Sequence, residues 1–159
     1  MSADDMAPER SERVSFAAWR SLLEVHAGIT RRLDAALQAQ AGVSLGWYDV
    51  LVHVDEAPAG RIRLRDLEQR VLVSQSTVSR HAARMEGAGL LVRTTPPDDR
   101  RSVEVHLTET GIARLGQARA VALAEIRRRF VAGLTDDDAS HLLRTLTGIR
   151  RHNRSLDDA

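Results

Sequence analysis

Residues 64–111 read LRDLEQRVLVSQSTVSRHAARMEGAGLLVRTTPPDDRRSVEVHLTETG, and this stretch decides the fold. Leu64, Leu67 and Val71 recur at helical spacing, as do Val78, Ala82 and Met85 after them. Ser74 stands between the two runs as an N-cap. The spacing therefore predicts two short helices separated by a few residues, a helix-turn-helix. The second helix reaches Gly87 and Gly89. Leu90 to Thr95 then favours a strand and Pro96-Pro97-Asp98-Asp99 a turn. Ser102 to Leu107 follows as a second strand, in which Val103, Val105 and Leu107 alternate with Ser102, Glu104 and His106. Helix, turn, helix and hairpin make a winged helix.

Outward from this stretch the chain is helical. On the N-terminal side, Phe16, Trp19, Leu22, Leu23, His26, Ile29, Leu33 and Leu37 form one apolar face of a long helix over about 14–41. Gly42 can end it, and Ser44 caps a helix carrying Trp47, Val50, Leu51 and Val54. A short extended piece, Arg61-Ile62-Arg63, joins that helix to the central stretch. On the C-terminal side, Thr108 caps a helix running through Ile112, Leu115, Val121, Leu123, Ile126 and Phe130 to Gly133. Thr135 caps the last helix. Asp136, Asp137 and Asp138 suit its positive end, and Leu142, Leu143, Leu146 and Ile149 form its apolar stripe. The fold class read from the pattern is mainly α with a small β-hairpin wing, a winged helix-turn-helix (about 44–107) flanked by long dimerisation helices (about 14–41 and 108–155). Residues 13–156 are expected to form a single domain behind a disordered tail, 1–12, which is small, charged and without periodicity. The flanking helices carry more apolar surface than a small winged helix can cover, which points to a two-fold dimer. A monomer whose three long helices pack on one another is the competing arrangement.

Composition restricts the function. At 159 residues the chain can bury a real core, with 43% hydrophobic and 28% charged residues. No apolar run approaches the roughly 20 residues that span a bilayer, and MSADDMAPERSE lacks a signal-peptide core, so no membrane partner and a cytoplasmic location are expected. The absence of cysteine excludes disulfide scaffolds and thiolate chemistry. All 23 basic residues are Arg, and their placement is uneven. Residues 1–60 hold 5 Arg against 9 acids, residues 61–101 hold 9 against 5, and residues 102–159 hold 9 against 8. The electropositive third is thus the winged helix, as phosphate binding requires, although a solvated Arg-rich face has the same composition.

The residue types on the second short helix fit a helix that enters the major groove. Gln pairs bidentately with adenine and Arg with guanine, while Ser and Thr reach bases or phosphates. Ser74, Gln75, Ser76, Thr77, Ser79, Arg80 and Arg84 supply those types on the solvent side. Its free N–H groups also favour a phosphate at its start. A polar surface helix capped by Ser74 explains the helix alone; it does not explain the hairpin. Arg100 and Arg101 at the tip suit the negative minor groove, and Asp99 is placed to hold Arg101 through a charge-assisted bond.

In this order and spacing, residues 64–111 resemble the multiple antibiotic resistance regulator (MarR) family of bacterial transcription factors. The helix-turn-helix, the GLLVR run, the Asp-Arg-Arg wing and the Leu-Thr-x-x-Gly that opens the next helix carry the likeness, which extends over roughly residues 14 to 155. Met85 stands where the family usually has Leu. The resemblance implies a homodimer whose terminal helices form the dimer lobe, with each winged helix reading half of a near-palindromic operator, and the role of a repressor. It places Ser74 to Arg84 on the recognition helix, Asp99 and Arg101 in the wing pair, and Arg93 at the hairpin base. It further implies a small aromatic or phenolic effector held between the dimer and DNA lobes. Trp19 and His26 on the first long helix, with Trp47, Tyr48 and His53 on the second, are the candidates for that site. Both Trp residues also suit the role of core anchors.

Two other readings compete. An enzyme would need a motif, yet His26, His53, His81, His106, His141 and His152 show no metal-ligand spacing, and no Gly-rich phosphate loop is present. No cofactor is expected. A winged helix used only for protein contacts would not need Arg at the wing tip together with base-reading side chains on the helix.

Overall fold

The computed structural model describes residues 7–71, 75–96, 99 and 102–158, with the side chains of 7–11, 75 and 76 excepted. Among the described residues, six α-helices and three short strands follow in the order α1 (Ala7–Ala41), α2 (Leu45–Asp55), β1 (Arg61–Arg63), α3 (Leu64–Arg70), α4 (Gln75–Gly87), β2 (Leu91–Thr94), β3 (Glu104–Leu107), α5 (Glu109–Arg129) and α6 (Asp136–Asp157). Single 3-10 turns lie at Pro58–Gly60 and Val131–Gly133. The mainly α class with a small β wing is what the spacing predicts. By contact density the chain divides into two compact units, Met1–Glu125 and Ile126–Ala159.

The first unit holds the core. Leu37, Val50, Leu51, Val54, Leu67, Val78, Met85 and Val105 are fully buried, so α1's C-terminal third, α2, α3, α4 and the sheet share one interior. Leu115 and Ala118 add one face of α5. The corner between α1 and α2 is pinned from both sides. Asp34 Oδ1 accepts the Leu45 N–H at 2.7 Å, and Ser44 Oγ accepts that of Trp47 at 3.2 Å, satisfying two of α2's free donors. Gly42 takes a left-handed φ of +64°, and Arg114 Nη1 donates to the Ala41 carbonyl at 2.8 Å, closing α1's last turn.

Four features differ from the sequence reading. α1 begins at Ala7, so residues 7–12, expected in the tail, are helical; residues 1–6 lie outside the described residues. Pro8 near the helix start, where its missing N–H costs nothing, permits the extra turns. Second, the hairpin is part of a three-stranded antiparallel sheet in the order β1-β3-β2, with Ile62 opposite Val105 and Val105 opposite Arg93. Third, β3 starts at Glu104 and not at Ser102. Ser102 is buried, and its N–H donates to the Asp99 carbonyl at 3.0 Å, so it closes the turn before the strand. Fourth, α5 ends at Arg129 and passes into the 3-10 turn instead of continuing to Gly133.

Much of α1's apolar face is open. Leu33 and Leu37 are buried, but Phe16 is 71% and Trp19 58% exposed, and Leu22, Leu23 and Val25 are also exposed. In the second unit, α6 has no buried residue and starts from a capping box. Thr135 Oγ1 accepts the Asp138 N–H at 3.2 Å, and Asp138 Oδ2 accepts the Thr135 N–H at 3.1 Å.

Candidate nucleic-acid interface

α4 is anchored by one face and open on the other. Val78, Ala82 and Met85 are fully buried at i, i+4 and i+7, which fixes the helix rotation. That rotation leaves Ser79, Arg80 and Arg84 exposed and Thr77 half-buried. Arg80 Nη2 donates to Thr77 Oγ1 at 3.2 Å, and Arg80 and Arg84 stand one turn apart. Gln75 and Ser76 lie in the first turn of α4; their side chains and Ser74 fall outside the described residues. His81, which sequence reasoning set aside with the other histidines, turns toward the start of α2. There a Cβ added to Gly46 would sit 2.8 Å from the His81 ring, so α2 and α4 approach closely because residue 46 is Gly. Burial, followed by the charges of Arg80 and Arg84, lowers the His81 pKa, which keeps the ring neutral at physiological pH.

At the wing, Arg100 and Arg101 lie outside the described residues, and the expected Asp99–Arg101 pair with them. Asp99 itself is half-buried. Its N–H donates to the Pro96 carbonyl at 3.2 Å, and it borders a hollow lined also by Leu64, Arg65, Glu68 and Ser102. At the stem, Arg93 meets Glu86 near the end of α4. Arg93 Nε donates to Glu86 Oε2 at 2.6 Å, Nη2 approaches the same oxygen at 2.6 Å, and the Arg93 backbone N–H donates to Oε1 at 3.1 Å. Those bonds hold the Glu86 carboxyl below its usual range. Nothing in local periodicity foretells this tie; a Glu seven residues before an Arg across a glycine turn is the only trace.

The five residues proposed for an effector do not share one hollow. Trp19 borders an open hollow on α1 with Glu12, Ser15 and Phe16, whereas Trp47 borders another with Gln38, Gly42, Val43 and Ser44. Nineteen residues of helix from Trp19 to Gln38 rise about 28 Å at about 1.5 Å each, which separates the two. Trp47 and Tyr48 pack against the core, and burial raises the Tyr48 pKa. His53 Nε2 lies 3.5 Å from Asp49 on α2, and His26 is exposed on α1. Leu143 and Ile149 of α6 are exposed and Leu142 and Leu146 half-buried. Among the described residues no three metal-ligating side chains cluster, and no helix is long and apolar enough to cross a membrane.

The family model that matches is that of the MarR family, over residues 41–102. Among solved structures, the chain is similar to AbsC, a MarR family transcriptional regulator from Streptomyces coelicolor. The two are 33% identical with a TM-score of 0.81, over 87% of this chain and 93% of that one. It is also similar to Sco3205, a MarR family regulator from the same organism solved in complex with DNA. That pair is 26% identical with a TM-score of 0.80, over 86% and 85% of the two chains. The HTH-type transcriptional regulator YdgJ of Bacillus subtilis is 23% identical over 82% of this chain and 77% of its own length.

Proposed function

We propose that this chain, which belongs to the MarR family of DNA-binding transcriptional regulators, reads a near-palindromic operator as a homodimer and represses transcription in the cytoplasm. The observation that carries the reading is α4: its apolar side is fully buried while Ser79, Arg80 and Arg84 face outward from a rigid mount. A helix held in that way presents hydrogen-bonding side chains to base edges with no backbone left to order at the moment of binding. In this reading Gln75, Ser76, Thr77, Ser79, Arg80 and Arg84 face the major groove, with Ser74 at the helix start on a phosphate. Arg100 and Arg101 enter the adjacent minor groove, oriented by Asp99. At the family level the chain is a regulator and not an enzyme.

The test separates positioning from reading. Gln75→Ala and Arg80→Ala each cost about 1–3 kcal/mol on a duplex selected by the wild-type protein and relax preference at one position. Arg101→Ala instead weakens binding to selected and random duplexes alike and flattens the salt dependence. Equal losses on both duplexes for Gln75→Ala and Arg80→Ala would reassign those side chains to phosphates. No salt-dependent shift of any duplex would leave a protein-contact module.

A second reading, release of DNA by a small aromatic ligand, is favoured by the hollow beside Trp47 at the α1–α2 corner. Weakening operator affinity a hundredfold needs about 2.7 kcal/mol of differential binding between two conformations. Titration with phenols and aromatic carboxylates should then quench Trp fluorescence and release DNA with one saturation curve, and Trp47→Phe should abolish the quenching. Absence of any saturable response across such a panel leaves Trp19, His26, Trp47, Tyr48 and His53 as structural residues.

A further inference from the structure

One carboxylate joins the helix offered to the major groove to the stem of the wing. Glu86 is the penultimate residue of α4, and Arg93 is the third residue of β2, one position before the strand gives way to the wing loop. Both oxygens of Glu86 are used. One accepts the backbone N–H of Arg93 and the other its guanidinium, so the strand is held in position and in direction by a single group. Arg93 in turn sits opposite Val105, whose side chain is fully buried, so β3 cannot slide past β2 without breaking core packing. About a third of each side chain is exposed, 38% for Arg93 and 34% for Glu86, and ion pairs so placed contribute little to global stability. The bonds therefore matter more for where β2 points than for whether the chain folds.

We propose that Glu86 is a positioning residue for DNA recognition: its hold on the Arg93 backbone and guanidinium fixes the wing stem against α4, so that helix and wing engage one half-site together. Without it the wing still bears its arginines but no longer delivers them in register with the helix. The inference rests on the DNA-binding reading above, and a double-mutant cycle separates the two. Full-length wild type, Glu86→Gln, Arg101→Ala and the double variant are titrated against a duplex selected by the wild type and a random duplex of equal length. Thermal melting confirms that each variant is folded; Glu86→Gln keeps the side-chain volume for that reason.

In the wild-type background Arg101→Ala should weaken binding to the selected duplex about tenfold. In the Glu86→Gln background the same change should cost less than about twofold, a coupling of the size that networked residues show. Glu86→Asp, which keeps the charge on a shorter arm, should recover part of the coupling. Equal costs of Arg101→Ala in both backgrounds overturn the proposal while leaving the DNA-binding reading intact. An Arg101→Ala variant that binds like wild type overturns the wing assignment and the proposal with it, whereas loss on Arg80→Ala alone still supports reading by α4.

Discussion

Gly111→Ala is expected to lower the melting temperature by roughly 6–20 °C, although alanine is the better helix former. The reason lies at the start of α5. Thr108 Oγ1 accepts the Gly111 N–H at 2.9 Å and donates to the Gly89 carbonyl at 2.6 Å, while the Thr108 N–H donates to the Leu90 carbonyl at 3.1 Å. The first turn of α5 is thereby drawn onto the backbone that leads into β2. A Cβ on residue 111 would overlap the Leu90 carbonyl oxygen and stand 2.9 Å from its carbon. Both obstacles are main chain, so no rotamer change relieves them, and Leu90 and Leu91 are themselves buried in the core. Forcing the two backbones apart costs about 3–5 kcal/mol, a large share of a typical 5–15 kcal/mol stability. Gly116, on the same helix with nothing within 4 Å of its missing Cβ, is the control. Gly116→Ala should stabilise by about 0.5–1 kcal/mol through helix propensity alone. Melting of Gly111→Ala at or above the wild-type temperature would falsify the close approach.

That contact also shows where sequence reading stops. Ser44, Thr108 and Thr135 were legible as caps because a cap bonds a donor within three residues of itself. The rotation of α4 was legible because Val78, Ala82 and Met85 repeat with the helix period. The partners that position the site are of another kind. Gly111 against Leu90, Glu86 on Arg93, Gly46 under His81 and β1 alongside β3 join residues 7 to 45 positions apart. No periodicity encodes them. β1, with one apolar residue, Ile62, between two arginines, reads as extended in the sequence, but so short a run cannot choose its neighbour. Trp19 and Trp47 mark the same limit from the other side: their shared chemistry groups them in the sequence, whereas within one chain α1 separates the hollow beside Trp19 from the one beside Trp47.

Leu143→Asp combined with Leu146→Asp is expected to yield a folded monomer that has lost tight operator binding. Leu142, Leu143, Leu146 and Ile149 fall on one stripe of α6, and no residue of that helix is buried in the single chain. Leu143 is 66% and Ile149 49% exposed. A stripe of that kind, carried on a helix whose capping box does not depend on it, calls for a partner. A second copy is the simplest partner, because two-fold symmetry lets one stripe meet itself or its neighbour. Burying a Leu contributes roughly 1.5–3 kcal/mol, so four leucines in a two-fold dimer contribute about 6–12 kcal/mol, and each 1.4 kcal/mol is tenfold in affinity. Even the lower figure moves a nanomolar dimer to tens of micromolar, before the cost of four buried carboxylates is added. Circular dichroism should still show the helices, while light scattering shows half the wild-type mass. The consequence for DNA follows from geometry. A dimer spans two half-sites about 10–10.5 base pairs apart, or a multiple of that spacing, whereas a monomer reaches one. The slope of log affinity against log salt, about −0.9 per phosphate neutralised, should therefore fall to roughly half in the double variant. A wild-type protein that scatters as a monomer at micromolar concentration while still shifting a single half-site duplex would sink the dimer and leave α6 free for a different partner.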